Sequence, residues 1–308
     1  MKRLILFLGK GGVGKTTLSA SLANELAKKG NQVYLASLDP AHNIFDFFGL
    51  NQMSSEMAIT DNLVVHEIDT TEYLKEFLKD TTESMKQSYK YLKIINLEDM
   101  FDVLKHSPGL EEYAVLRALD TIVQNWKQRV DYIVVDTPPT GLTLRIASLA
   151  PTTLRWIEKL KELRLKILKR RQEIVNIKGD EAIPQGVATE ANDDPVLREL
   201  SEEELLSRRI YDLFTDREIT RRVLVLNHDE LSVKEGIMII TDLKALSIDI
   251  DLIVFNKTGL GGVSDELMQR LIDAAQGVKT YEVPFFEDHP TPREKTSEIA
   301  SVFIESIL

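Results

Sequence analysis

Cysteine is absent from all 308 residues. That excludes disulfides, thiolate zinc sites, iron–sulfur ligation and a cysteine nucleophile within the chain. No apolar stretch approaches the roughly 20 residues that a membrane-spanning helix needs. The apolar run in MKRLILFLGKGG stops at Leu8 and has no small-residue cleavage site behind it, so it reads as a buried strand and not as a secretion signal. Basic charge is in deficit: 38 Lys and Arg against 49 Asp and Glu leave a net charge of -11. Such a chain repels a phosphate backbone, and no nucleic-acid partner is expected. The expected setting is soluble and cytoplasmic.

With a hydrophobic content of 43%, the chain can bury a full core. Short runs rich in Val and Ile recur at 3–8, 32–38, 63–68, 132–136, 222–227, 251–255 and 280–283. Longer segments of helical period separate most of them. This is the βαβ rhythm of an α/β fold, a doubly wound and mostly parallel sheet covered on both faces. Two stretches break it, 70–107 and 154–220, which read as charged, helical and strandless. They are expected to form a helical subdomain inserted into one domain spanning 1–308. Within the second stretch, residues 178–195 lack periodicity and read as a mobile loop, after which Ser201 and Glu204 suggest a capping box that opens a helix.

The segment Gly9, Lys10, Gly11, Gly12, Val13, Gly14, Lys15, Thr16 fits G-x-x-x-x-G-K-[ST], directly after an apolar run and directly before the helical stretch that Thr17 continues. Backbone N–H groups must converge on a β-phosphate with no Cβ in the way, at a helix N-terminus whose dipole favours anions, and glycines meet that need. Lys15 supplies charge, and the Thr16 hydroxyl suits Mg²⁺. The expected ligands are therefore ATP and Mg²⁺ on a P-loop NTPase domain. Lys10 is surplus to this scheme. From the residues alone it reads as a solvated loop lysine.

Two further stretches narrow the choice: LDPAHNIFDFFG at 38–49 and VVDTPPTGLTLRIASLAP at 135–151. With the loop, they resemble the arsenite-pump and tail-anchored-protein-targeting ATPases, whose switch segments read D-P-A-H-N/S and D-T-A/P-P-T-G-x-T-L-R. The resemblance covers residues 2 to about 300. It implies a homodimer in which Lys10 reaches the partner's nucleotide, as an arginine finger would. It further implies that Asp39 activates the attacking water, that Asp136 holds Mg²⁺ through water, and that residues 137–141 sense the γ-phosphate. Asn256, Pro284 and Phe285 match adenine-side contacts, and Asp229 matches an acidic residue near the nucleotide. From the residues alone, Asp39 and Asp136 also suit caps after strands, and Asp229 and Asn256 also suit strand-end turns.

Arsenic(III) demands soft thiolates, and the targeting ATPases share a zinc between C-x-x-C pairs. Without cysteine, this chain lacks both devices. The expected task is delivery of a hydrophobic membrane-protein client, with a membrane receptor as a further partner. Candidate lining lies in 72–104, with Met85 and Met100, and in 154–171, where Trp156, Ile157, Leu160, Leu163 and Ile167 are spaced along one helical face. Such a face equally suits a packed bundle core. Two other tasks stay open. One is a membrane-surface positioning or partition ATPase using Lys159, Lys166, Lys169 and Arg170, although the C-terminal stretch has no Lys or Arg after Lys295. The other is an arsenite-pump-like ATPase without the metalloid site.

Overall fold

The computed structural model describes residues 1, 3–39, 44–50, 55–88, 109–184, 186–286 and 295–308, with the backbone alone for 80–88 and 180. Eight strands form one sheet, β1 (Arg3–Leu8), β2 (Val33–Ser37), β3 (Glu56–Thr60), β4 (Leu63–Glu67), β5 (Tyr132–Asp136), β6 (Thr220–Asn227), β7 (Leu252–Thr258) and β8 (Lys279–Pro284). Their order is β3-β4-β2-β5-β1-β6-β7-β8, parallel throughout except for the antiparallel β3–β4 pair. In β2 and β5 every residue is buried, as expected where helices cover both faces. β3 alternates between exposed and half-buried positions and pairs on one side only, which marks an edge strand.

The helices of this unit are α1 (Lys15–Lys28), α2 (Ile44–Phe48), α3 (Thr70–Ser88), α4 (Leu110–Trp126), the start of α5 (Thr140–Lys178), and then α7 (Glu230–Ala245), α8 (Asp265–Ala274) and α9 (Thr296–Ser301). The core gathers Ile5 and Phe7 of β1, Leu18 and Leu22 of α1, and Phe303, Ile304 and Ile307 from the C-terminal stretch. α9 is tied to α1 by Asn24 Nδ2 donating to Thr296 Oγ1 at 2.8 Å and Lys28 Nζ to Ser297 Oγ at 2.9 Å. Phe303, Ile304 and Ile307 are thus built into the core. From β1 the chain passes across β5 to β2, whereas β6 lies on the other side of β1. Ligands of open parallel sheets bind beyond the carboxyl ends of strands at such a reversal.

Residues 147–212 form a second compact unit, and the division falls inside α5. This unit consists of the rest of α5, a short 3₁₀ turn at Asp180–Ala182, and α6 (Pro195–Thr215) up to Asp212. α3 groups with the sheet unit and not with this one, while residues 89–107 of the expected insertion lie outside the described residues.

The expected capping box is corrected. Ser201 and Glu204 lie inside α6, where the Ser201 hydroxyl donates back to Leu197 O at 2.7 Å. The helix starts earlier because Asp194 accepts from Leu197 N at 2.8 Å and Pro195 supplies a preset first turn. The same Asp194 receives a two-pronged contact from Arg164 of α5, with Nη2 at 2.7 Å, and Lys161 pairs with Glu204 at 2.6 Å. No helix among the described residues is long and apolar enough to cross a membrane.

Candidate active site

The loop from Gly9 to Gly14 joins β1 to α1 and is packed against the ends of the neighbouring strands. A Cβ on Gly9 would lie 2.5 Å from Val225 O, and one on Gly14, where φ is +96°, would lie 2.1 Å from Asn256 Nδ2. Only glycine fits at those two close approaches. At Gly11 and Gly12 nothing lies within 4 Å of such an atom, so the rim of the loop stays open. α1 begins without a side-chain cap and without an acidic residue in its first turn. Its first N–H groups therefore present an uncancelled positive end to an anion.

Charge is concentrated just behind this loop. Lys15 is buried, donates to Lys10 O at 3.3 Å and lies 4.0 Å from Asp39 Oδ2. Burial pushes its amine below the usual lysine range, against the pull of Asp136 and Asp39. Asp136 ends β5 and is wholly inaccessible. Burial raises its carboxyl to about 7, offset in part by the Thr16 hydroxyl and by Lys15. Thr16 Oγ1 donates to Asp136 Oδ2 at 2.5 Å, while the buried Oδ1 has no hydrogen-bond partner among the described residues. An orphaned carboxylate oxygen beside a threonine hydroxyl, both hard donors at the edge of an anion-binding loop, fits Mg²⁺, which takes few protein ligands and shares phosphate oxygens.

Asp39 follows β2, and its own N–H donates to Ser37 Oγ at 3.3 Å. The cap of α2 comes from elsewhere, since Phe45 N donates to the buried Glu67 Oε1 at 2.9 Å. Residues 40–43 of the first switch segment lie outside the described residues. The second segment is anchored by Thr137 Oγ1 donating to Phe7 O at 2.7 Å and Thr143 Oγ1 to Pro138 O at 2.8 Å. Thr140 Oγ1 at the start of α5 is buried without a partner among the described residues. It lines a cavity of about 230 Å³ together with Lys10, Leu144, Glu235 and Met238.

Lys10 is half exposed and turns from the loop toward α7, where its Nζ meets Glu235 Oε1 at 2.5 Å. It is therefore neither directed at its own chain's loop nor loose in solvent. On the opposite flank, Asn256 donates Nδ2 to Val13 O at 2.8 Å. Phe285 follows β8 at the level of Thr258, to whose carbonyl its N–H donates at 2.9 Å, and Pro284 pairs with Thr258 in the ladder. Asp229 serves as the N-cap of α7, accepting from Ser232 N at 2.9 Å. Its carboxylate is thus used by the helix end.

Lys15, Thr16, Asp39 and Asp136 are brought together, whereas Lys10 meets Lys15 through its carbonyl and sends its side chain to Glu235. Asn256, Pro284 and Phe285 share the β7–β8 flank, and Asp229 sits one turn of chain beyond β6. The sequence reading did not single out Glu235 or Lys257, which touch Lys10 and the loop. For Glu235 no motif exists; for Lys257 the signal was its place next to Asn256 in IVFNKTG.

The sequence model of the anion-transporting ATPase family matches residues 2–279. A protein of Aquifex aeolicus (strain VF5) named "Putative arsenical pump-driving ATPase 2" is 30% identical over 267 residues, covering 87% of this chain and 84% of the relative. ATPase get3 of Aspergillus terreus is 31% identical over 258 residues, 83% of this chain and 73% of its own length. An arsenical pump-driving relative from Prosthecochloris vibrioformis, named with the same qualifier as the Aquifex protein, is 32% identical over 264 residues, which is 83% of this chain but only 61% of the relative. A match through the loop, both switch segments and all strands but the last shows that the chain belongs to the anion-transporting ATPase family.

Proposed function

We propose that this ATPase is a homodimeric, Mg²⁺-dependent switch that binds and hands over a hydrophobic membrane-protein segment. The chemical half of the reading rests on the cluster of Lys15, Thr16, Asp39 and Asp136 behind an open loop. The loop N–H groups and Lys15 hold the phosphates, and Asp39 orients the attacking water. Thr16 and Asp136 hold the metal, which when bound draws charge from the β- and γ-phosphate oxygens. Lys10 leaves Glu235 to reach the nucleotide of the second subunit. Thr140, buried without a partner among the described residues at the head of α5, answers the γ-phosphate in this reading.

One observation carries the client half. On α5 the side chains of Trp156, Leu160, Leu163, Ile167 and Ile174 are all exposed. At 100° per residue they fall within about 60° of one another, and with Ile177 the stripe runs about 32 Å. A soluble monomer rarely leaves an apolar surface of that length uncovered. Ile157 is a correction to the expected face, because it is 3% exposed and points to the other side of α5, as does Leu168. That side carries Lys161 and Arg164, which bind α6.

An arsenical cargo finds no thiolate ligand in this chain. A membrane-surface role is weakened because Lys159 and Arg170 pair with Glu162 and Glu173, which reduces the basic charge of that face.

The test mixes the Asp39→Asn variant and Mg²⁺-ATP with a peptide bearing one C-terminal transmembrane helix and reads complex formation by size exclusion. Capture that needs ATP and is lost in Leu160→Asp with Leu163→Asp is the expected result. No capture, with the wild-type ATPase intact, removes the client reading and leaves the nucleotide switch standing.

A further inference from the structure

Two adjacent residues near the end of β7 both reach the phosphate loop. Asn256 donates to Val13 O at 2.8 Å, and Lys257 Nζ donates to Gly12 O at 2.9 Å. Lys257 does so from an unfavourable backbone, with φ at +56°. Among the described residues only Ser247 and Gln276 share a positive φ without being glycine, and each directly follows the C-cap of a helix, α7 or α8. A left-handed residue is ordinary there. Lys257 instead lies inside a strand, where the β7–β8 register shifts between Phe255 and Thr258. Irregularities of this kind re-aim a side chain at a cost in backbone energy, and glycine would avoid that cost.

We infer that Lys257 is a positioning residue for phosphate binding, holding the loop in its anion-ready form before nucleotide arrives. The described peptide bonds are trans, so each carbonyl points opposite to the next residue's N–H. Drawing Gly12 O and Val13 O toward β7 turns the N–H groups of Val13 and Gly14 away from it, toward the concave side of the loop. Two adjacent donors on two adjacent carbonyls fix both peptide planes at once. Asn256 alone fixes the Val13–Gly14 plane; the Gly12–Val13 plane, at the open rim, depends on the lysine. The amine does not touch phosphate in this scheme. It removes the ordering cost that a free loop would meet on binding.

This inference rests on Gly9–Thr16 being the phosphate loop, and the experiment separates the two. Titration of the full chain with Mg²⁺-ADP and with a non-hydrolysable ATP analogue is compared for wild type, Lys15→Ala, Lys257→Met, Lys257→Arg and Lys257→Gly. A charge-assisted hydrogen bond in the loop corresponds to about tenfold or more in affinity. Lys257→Met is expected to weaken both nucleotides by about that factor and raise KM, with kcat within about twofold, and Lys257→Arg to recover most of the loss. Lys257→Gly relaxes the backbone yet lacks the amine, so it is expected to melt no lower than wild type and to bind as weakly as Lys257→Met. Wild-type affinity in Lys257→Met, or affinity regained in Lys257→Gly, overturns the inference. Equal binding by wild type and Lys15→Ala overturns the phosphate-loop reading itself.

Discussion

The sheet unit and the helical unit place charge and apolar surface in opposite ways. At the carboxyl end of the sheet, a lysine and an aspartate are buried and one carboxylate oxygen is left unsatisfied among the described residues. Along α5 the apolar side chains face outward, Trp156 at 65% and Ile177 at 80% exposure, while the ion pair Arg164–Asp194 is drawn inside. Each arrangement costs folding free energy where it occurs. Each is the kind of local inconsistency that a sequence retains where something has to bind. On the proposed reading, the two regions differ in what they meet: a charged, hydrated ligand in one and an apolar surface in the other.

The largest expected effect lies in the sheet unit. Lys15→Ala removes the buried cation between the two carboxylates and should weaken ATP binding by about 100-fold or more, read by equilibrium titration. Retained affinity would mean that the buried charges are only structural. Asp39→Asn should separate binding from chemistry, with kcat falling about 100-fold and nucleotide affinity held. A variant that turns over normally would assign the water-activating role to another group.

The next test sets the two faces of α5 against each other by thermal or denaturant unfolding. Ile157→Ala should cost about 2–4 kcal/mol because its side chain is buried. Leu160→Asp should change stability by less than about 0.5 kcal/mol because its side chain is exposed. Similar losses from both would show that the exposed stripe is packing surface after all. Glu235→Gln weakens the hold on Lys10, whose pair is largely exposed. A rise in turnover of about threefold, steeper with protein concentration, is expected if Lys10 acts across a dimer. Unchanged turnover would reduce that contact to a surface pair.

Legibility in the sequence followed the same divide. The strand, loop and helix around Lys15 and Thr16 were legible because phosphate chemistry allows few residue types at fixed spacing, whereas Asp136 was picked out through the resemblance of the second switch segment. Buried parallel strands were readable because they leave continuous apolar runs. β3 was not, since EMAIT is a half-exposed edge strand with a weak alternation. Glu235 and Lys257 act through contacts 225 and 245 positions away along the chain, which no local pattern records. The start of α6 was misread because Ser201 and Glu204 satisfy a local rule, whereas Asp194 is selected by a tertiary partner, Arg164.

That partner gives the smallest effect and the most local one. Burial alone would raise the Asp194 carboxyl, but the Arg164 guanidinium and the Leu197 N–H hold it below the usual carboxylate range. Glu204, held by Lys161 and Arg208, is lowered as well. A carboxylate depressed by folding contributes stability that is fully present above its unfolded value, about 4, and lost as the pH falls toward the folded value. Acidification from pH 6 to pH 3.5 should therefore speed amide hydrogen exchange in residues 195–212 relative to the central strands, once the intrinsic pH dependence of exchange is removed. In Asp194→Asn the excess should shrink, because the group that titrates is gone, and protection at pH 6 should already be lower. Equal acid sensitivity in the sheet and in α6, or an Asp194→Asn variant that still shows the full excess, would break the contrast. The start of α6 would then not depend on the buried ion pair Arg164–Asp194.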